Sequence, residues 1–100
     1  MNVLRNCAAV ALSLAALSGL AQAQTEEVLK KIDRLLAEGG SDKSKILWAN
    51  VWVTDMREKD QMDAAWQAWV DPNNKPARAT VESRLGTPDT RVEIMMIAAK

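Results

Sequence analysis

The sequence contains no histidine and only one cysteine, Cys7, which lies close to the amino terminus. Without histidine, neither a Ser-His nor a Cys-His pair can supply a nucleophile and its base, and nearly every common zinc site is excluded. If the segment that carries Cys7 is removed, the remaining chain also has no thiol and no disulfide. Any chemistry must therefore use Arg, Lys, Asp, Glu, Ser, Thr or bound water, and no metal site is predicted.

The sequence also lacks an apolar run long enough to span a membrane. Arg5 gives a short positive start, the run from Cys7 to Leu20 is uncharged and apolar, and Ala21-Gln22-Ala23 is a small-x-small pattern. This is the three-part layout of a secretory signal peptide, and the run is shorter than the roughly 20 residues of a spanning helix. We predict that residues 1–23 are a cleaved signal peptide and that the mature protein is periplasmic or secreted, without membrane attachment. A membrane anchor and a spurious start codon are the alternatives.

The predicted mature chain, residues 24–100, has no excess of positive charge. With Arg5 removed it carries twelve Lys and Arg against thirteen Asp and Glu, a formal net charge of −1. A protein that binds nucleic acid through its phosphates needs a basic surface, so the composition does not support such a partner. A chain of this length forms only a marginal core by itself, and oligomerisation is a common way to bury more surface.

The spacing of apolar residues predicts one domain with five elements. They are a helix over Thr25–Glu38, a strand over Ile46–Thr54, a helix from Asp55 to about Val70, and strands over Ala77–Leu85 and Val92–Ala99. A strand-helix-strand unit implies a parallel pair of strands with a right-handed crossover. The sequence therefore predicts an α+β domain with two helices on one face of a mixed β-sheet.

The first predicted strand is apolar on both of its faces. Leu47, Ala49, Val51 and Val53 are predicted to share one face, and Ile46, Trp48 and Trp52 the other. A strand that is covered on both sides is central or lies at an interface, so we predict a protein partner on the face away from the helices. Trp48 and Trp52 would also suit a platform for stacked bases, but no basic groove accompanies them and interface packing is favoured.

Four segments in order carry the most specific motifs. The first strand ends in Thr54-Asp55-Met56, the second helix contains Trp66 to Val70, the next strand has the run Pro76 to Glu82, and the last has Val92-Glu93-Ile94. In this order and spacing they resemble the Rid family of YjgF-type imine deaminases, which is also called endoribonuclease L-PSP. The resemblance covers Thr25 to Lys100, and the first strands of the family have no counterpart in the predicted mature chain.

The resemblance implies a chorismate-mutase-like fold and a homotrimer with ligand clefts between its subunits. It also implies hydrolysis of reactive enamines and imines, derived from amino acids, to a 2-oxo acid and ammonia without a cofactor. By the same resemblance, Arg78 pairs with the substrate carboxylate, Glu93 lies near the attacking water, and Thr80 lines the cleft. The small ligand of such a site is an imine or a 2-oxo acid.

These roles agree with the chemistry of the side chains. A planar guanidinium can bind a carboxylate through two parallel hydrogen bonds, and a carboxylate can order and deprotonate water. The simpler alternatives are that Arg78 pairs with a neighbouring carboxylate and that Glu93 forms a salt bridge. For the whole chain, the alternatives are a non-catalytic, small-acid-binding oligomer that has lost part of its cleft, and a ribonuclease. The neutral charge and the lack of histidine disfavour the ribonuclease.

Overall fold

The computed structural model describes residues 19–100. They form α1 (Leu20–Glu38), β1 (Ile46–Val53), α2 (Lys59–Trp69), β2 (Ala77–Glu82) and β3 (Val92–Ala98). The five predicted elements are present in the predicted order, and the α+β prediction is confirmed. The predicted signal peptide lies outside the described residues as far as residue 18. No helix within residues 19–100 is both long and apolar enough to cross a membrane.

Helix α1 begins at Leu20, five residues before the predicted start at Thr25. The alanines, leucine and glutamines of this segment are good helix formers, and nothing between them interrupts a helix. Ala21 and Thr25 are buried, and the Thr25 hydroxyl donates a hydrogen bond of 2.6 Å to the carbonyl oxygen of Ala21. The last residues of the predicted signal peptide therefore form the first turn of α1.

Strand β1 is the centre of a three-stranded sheet with the order β2-β1-β3. It pairs in parallel with β2, with Ala49 opposite Arg78, and antiparallel with β3, with Trp52 opposite Glu93. The connection from β1 through α2 to β2 is the predicted strand-helix-strand unit. Strand β2 ends at Glu82, three residues before the predicted end.

The core lies between the sheet and the two helices, which pack on the same sheet face. It is formed by Leu29, Ala49, Val51, Val53, Met62, Trp66, Val70 and Val92. Ile94 and Met96 of β3 pack against its edge. Burying a side chain of the size of Leu29 or Met62 stabilises the fold by about 1.5–3 kcal/mol. These residues fix which side chains of β1, β2 and β3 face the helices.

A register shift between Ile46 and Trp48 interrupts the alternation at the start of β1. Ile46 is buried at 2% exposure, whereas Leu47 is 60% exposed. The prediction that placed Leu47 with the buried residues of β1 and Ile46 on the opposite face was therefore wrong. From Ala49 onward the strand alternates as predicted, with Ala49, Val51 and Val53 on the buried face.

The sheet face away from the helices, called here the open face, is not covered by any described residue. Its large apolar side chains are Trp48, Trp52, Val81, Met95 and Ile97, and all but Trp52 are more than a third exposed. The indole Nε1 of Trp48 donates a hydrogen bond of 2.9 Å to Asn50 Oδ1, which holds the ring along the strand. This is the surface for which the sequence predicts a partner.

Lys43, in the turn before β1, contacts the end of α2. Its Nζ donates a hydrogen bond of 2.9 Å to the carbonyl oxygen of Trp69 and lies 5.5 Å from the centre of the Trp69 ring. A cation at the carboxyl end of a helix stabilises the helix, because the last carbonyl groups have no partner within it. Lys43 therefore caps α2 from the turn that precedes β1.

Candidate functional site

Arg78 lies on β2 with its side chain directed towards α2. One terminal nitrogen donates a hydrogen bond of 2.7 Å to Asp63 Oδ1, and the other lies 3.8 Å from Met62 Sδ. The guanidinium carbon stands 5.2 Å from the centre of the Trp66 ring, within the range of a cation–π contact. The side chain is 19% exposed. Three residues of one helix therefore hold the guanidinium in place.

Asp63 joins Arg78 to a second cation. Its Oδ2 accepts a hydrogen bond of 2.5 Å from Lys59 Nζ, one turn earlier on α2. Burial acts to raise the pKa of Asp63, but the hydrogen bonds from Lys59 and Arg78 outweigh it, so this pKa lies below its ordinary value. The cluster of Lys59, Asp63 and Arg78 therefore has one net positive charge.

The alternative of an ion pair for Arg78 is thus present within the single chain, and its partner Asp63 was not predicted. The sequence does contain the spacing of Lys59 and Asp63, which brings two side chains together on a helix. It contains no signal that links Asp63 to Arg78, because that contact depends on how α2 crosses β2. Binding of a ligand by Arg78 remains a prediction.

Thr80 follows Arg78 on the same face of β2, opposite Val51 in the register. Its hydroxyl oxygen is buried and has no hydrogen-bond partner among the described residues. A buried polar group that lacks a partner costs about 1–3 kcal/mol. The structure therefore places two of the three predicted site residues, Arg78 and Thr80, on one face of β2, and the Thr80 hydroxyl makes no hydrogen bond with the described residues.

Glu93 lies on the other side of the sheet. It stands opposite Trp52 in the register of β1 and β3, between the buried Val92 and the core-packed Ile94, so its side chain belongs to the open face. This side chain is exposed and makes no hydrogen bond or ion pair with any residue in the range 19–100. Arg78 and Glu93 of one chain are therefore separated by the sheet and cannot touch the same small ligand.

Charged residues in the segment after β1 form ion pairs, one within that segment and one with Arg91 just before β3. Arg57 binds Asp55 with contacts of 2.7–3.1 Å, and Arg91 binds Glu58 at 3.0 Å. The hydrogen bonds that the Arg57 side chain and backbone donate lower the pKa of Asp55 to about 2. Glu82 accepts a hydrogen bond of 2.8 Å from the amide of Met56. These groups fasten the loops that end the two strands.

Two surface depressions of the described residues lie away from the predicted site residues. A groove of about 290 Å³ lies between α1 and α2, with Leu29 and Trp69 in its lining. Another, of about 280 Å³, is lined by Thr54 and residues 83–88. Neither contains Arg78, Thr80 or Glu93. No group of three or more His, Cys, Asp or Glu residues within residues 19–100 is arranged to hold a metal ion.

Comparison with known proteins identifies the family of this chain. The sequence matches the family described as endoribonuclease L-PSP over residues 9–100. The chain belongs to this family. A RutC family protein of Haemophilus ducreyi is 47% identical over 76 residues, which are 76% of this chain and 65% of the relative. The RutC family protein YoaB of Escherichia coli is 41% identical over 76 residues, or 76% of this chain and 67% of the relative.

Solved structures of the L-PSP family share the fold. A YjgF family member from Neisseria meningitidis has 49% sequence identity and a TM-score of 0.79, over 80% of this chain and 67% of that one. RidA from an Antarctic Psychrobacter has 26% identity and a TM-score of 0.71, over 77% of this chain and 62% of that one. The resemblance to the Rid family is thus confirmed, and the chain spans 65% of the length of its Haemophilus relatives.

Proposed function

We propose that this L-PSP family member hydrolyses reactive enamines and imines derived from amino acids, releasing a 2-oxo acid and ammonia. The observation that carries the proposal is that Arg78 and Thr80 lie together on the face of β2 that is directed towards the helices. Arg78, whose guanidinium is held on Trp66, shares a face of β2 with Thr80, whose buried hydroxyl has no partner among the described residues. A fixed cation and a hydrogen-bonding group suit recognition of a small carboxylate.

The reaction needs no cofactor in this proposal. Water adds to the electrophilic imine carbon while Glu93 accepts a proton from that water. The nitrogen takes up that proton from Glu93 and a second proton from the hydroxyl group that the water has become. The carbon–nitrogen bond then breaks, and a carbonyl group and ammonia remain. Arg78 holds the substrate carboxylate throughout, and the hydroxyl of Thr80 orients the same end of the substrate.

Because the sheet separates Arg78 from Glu93, we propose that a complete site contains residues of two chains. Arg78 and Thr80 of one subunit would face a substrate together with Glu93 of its neighbour. The exposed apolar residues of the open face, such as Ile97 and Met95, provide the contact surface for that neighbour. A homotrimer, which the resemblance to the Rid family implies, supplies one such cleft for each pair of subunits.

Complementation between variants tests this arrangement. An amino-acid oxidase or lyase would generate a short-lived imine in the assay, and its decay would be followed with and without the protein. Arg78→Lys and Glu93→Gln should each remove most of the activity, since lysine lacks the planar fork and the amide accepts no proton. Oligomers assembled from an equal mixture should regain activity, because about a quarter of their interfaces then combine an intact Arg78 with an intact Glu93.

An inactive mixture of two folded, assembled variants would contradict the two-chain site. An unmutated protein that leaves imine decay unchanged would contradict the deaminase itself. One observation favours a second candidate, a non-catalytic oligomer that binds small acids, because within one chain Glu93 lies on the opposite sheet face from Arg78 and Thr80. That candidate predicts binding of a 2-oxo acid, measured by calorimetry, without any acceleration of imine hydrolysis.

Export to the periplasm or beyond is also a proposal, supported by the layout of residues 1–23. Amino-terminal sequencing of protein from the periplasmic fraction should then begin at Gln24. A protein that stays in the cytosol with Met1 intact would contradict export. The outcome also decides whether the first turn of α1 is present in the working protein, because Leu20 to Ala23 belong to that turn.

A further inference from the structure

We propose that Asp63 is a positioning and specificity-determining residue, which orients Arg78 and, with Lys59, makes the site select ligands with one carboxylate over ligands with two. This inference rests on the proposed binding of a small acid by Arg78. Asp63 and Lys59 both lie on α2, and neither takes part in proton transfer.

The division of the Asp63 carboxylate between two cations supports an orienting role. Oδ1 accepts from Arg78 at 2.7 Å and Oδ2 accepts from Lys59 at 2.5 Å, so each oxygen holds one partner. A guanidinium has five N–H donors, and Asp63 engages one terminal nitrogen. Donors therefore remain for a ligand while Asp63 and the face of Trp66 fix the plane of the group. A fixed plane lowers the entropy cost of two-point binding.

The charge of the cluster supports selection by ligand charge. Lys59, Asp63 and Arg78 together carry one net positive charge, which a single carboxylate neutralises. A second carboxylate on the ligand would bring an uncompensated negative charge towards Asp63 in a region where the three side chains are only 19–40% exposed. An unpaired charge built against the wrong ligand is a common way to obtain specificity.

The chain offers a closely matched control for Asp63. Asp60 lies on the same helix, three residues earlier, is exposed, and forms no ion pair with the described residues. Asp63→Asn and Asp60→Asn remove the same charge by the same chemical change. Only Asp63→Asn leaves Lys59 and Arg78 without a shared partner. A difference between the two variants is therefore due to the loss of the ion pairs in the cluster and not to the change in net charge of the protein.

The experiment measures binding of 2-oxopentanoate and 2-oxoglutarate, which have five carbons each but one and two carboxylates. Calorimetry on the assembled, full-length protein gives the ratio of the two Kd values. Asp63→Asn should shift this ratio towards 2-oxoglutarate by about two- to fivefold, the usual effect of one partly exposed ion pair. Asp60→Asn should leave it unchanged, and Asp63→Glu should restore much of the selectivity.

A ligand-free measurement separates orientation from folding and from the proposed function. In 15N NMR of the arginine side chains, the guanidinium signal of Arg78 should show restricted rotation in the unmutated protein and in Asp60→Asn, but not in Asp63→Asn. An unchanged Kd ratio in Asp63→Asn would overturn the specificity role, and an unchanged Arg78 signal would overturn the orienting role. If the unmutated protein binds neither acid at millimolar concentration, the proposed function falls and the selectivity falls with it.

Discussion

The backbone amide of Ala21 donates a hydrogen bond of 3.2 Å to Oε1 of Gln61, which ties the start of α1 to the first half of α2. Ala21 is 1% exposed, and Gly19, just before the helix, has a φ of +94° that favours glycine. A Cβ at position 19 would lie 1.9 Å from the same Gln61 oxygen. Gln61 therefore packs closely against the segment that a cut after Ala23 would remove.

This contact predicts that the effect of Gln61→Ala depends on where the chain begins. In a chain that retains Gly19 to Ala23, loss of the hydrogen bond should reduce the free energy of unfolding by about 0.5–1.5 kcal/mol. In a chain that begins at Gln24 the same substitution should have little effect, because the donor is gone. Urea unfolding of both chains measures this. Gln67→Ala, at an exposed position of α2, is the control, and equal losses in both chains for Gln61→Ala would contradict the prediction.

Two leucines of α1 provide a matched test of the core. Leu29 is 2% exposed and Leu35 is 59% exposed. Leu29→Ala should lower the free energy of unfolding by about 2–5 kcal/mol, because it removes a buried side chain and leaves a cavity. Leu35→Ala should change it by less than about 0.5 kcal/mol. Similar losses in the two variants, measured by urea unfolding, would show that α1 does not pack on the sheet as described.

Stability should fall at acid pH, and two of the carboxylates responsible can be tested separately. The pKa of Asp55 is about 2, below the ordinary value of 3.8, and the pKa of Asp63 is also lowered. Since folding favours their ionised forms, their contribution is present above about pH 4 and is lost as the pH falls towards 2. Urea midpoints between pH 5 and pH 2 should decline less steeply in Asp55→Asn and in Asp63→Asn than in Asp60→Asn. A parallel decline in all three variants would show that Asp55 and Asp63 do not cause the loss of stability at acid pH.

The open face yields a prediction about assembly. Ile97 on that face and Leu35 on α1 are 53% and 59% exposed in the single chain, so a charge is tolerated equally at either position if the chain stays monomeric. If the open face is the subunit contact, Ile97→Glu should abolish assembly by burying an unpaired charge, whereas Leu35→Glu should not. Light scattering gives the mass of each variant. A monomeric unmutated protein, or an assembled Ile97→Glu variant, would refute the proposed contact.

Most of the fold was predictable because its periodicities are strong. The apolar spacing of α1 and α2 and the alternation within β1 identify the elements, and a helix between two strands dictates their parallel pairing. The exchange of Ile46 and Leu47 was not predictable, since a register shift depends on how β3 meets β1 and leaves no trace in the residue types. The early start of α1 was missed because an apolar leader and an apolar first turn have the same composition.

The candidate site was predictable only in part. The run from Pro76 to Glu82 led to Arg78 and Thr80, and the structure places both on one sheet face. The position of Glu93 could not be deduced, because β3 is apolar at alternating positions on both sides and either side could have faced the helices. The contact between Arg78 and Asp63 joins a strand to a helix fifteen residues earlier, which sequence spacing alone does not reveal.

The central position of β1 also determines which parts of the chain fold first. Its pairing with β3 joins residues that are far apart in the sequence, such as Ile46 and Ala98. Its pairing with β2 joins residues that are separated by little more than α2. During synthesis the β1-α2-β2 unit emerges before β3 does, and contacts between distant residues form slowly. Until then one side of β1 is an unpaired edge that carries Trp48, Val51 and Trp52. Nascent or refolding chains are therefore most prone to aggregate in this interval, which makes yield on refolding sensitive to protein concentration.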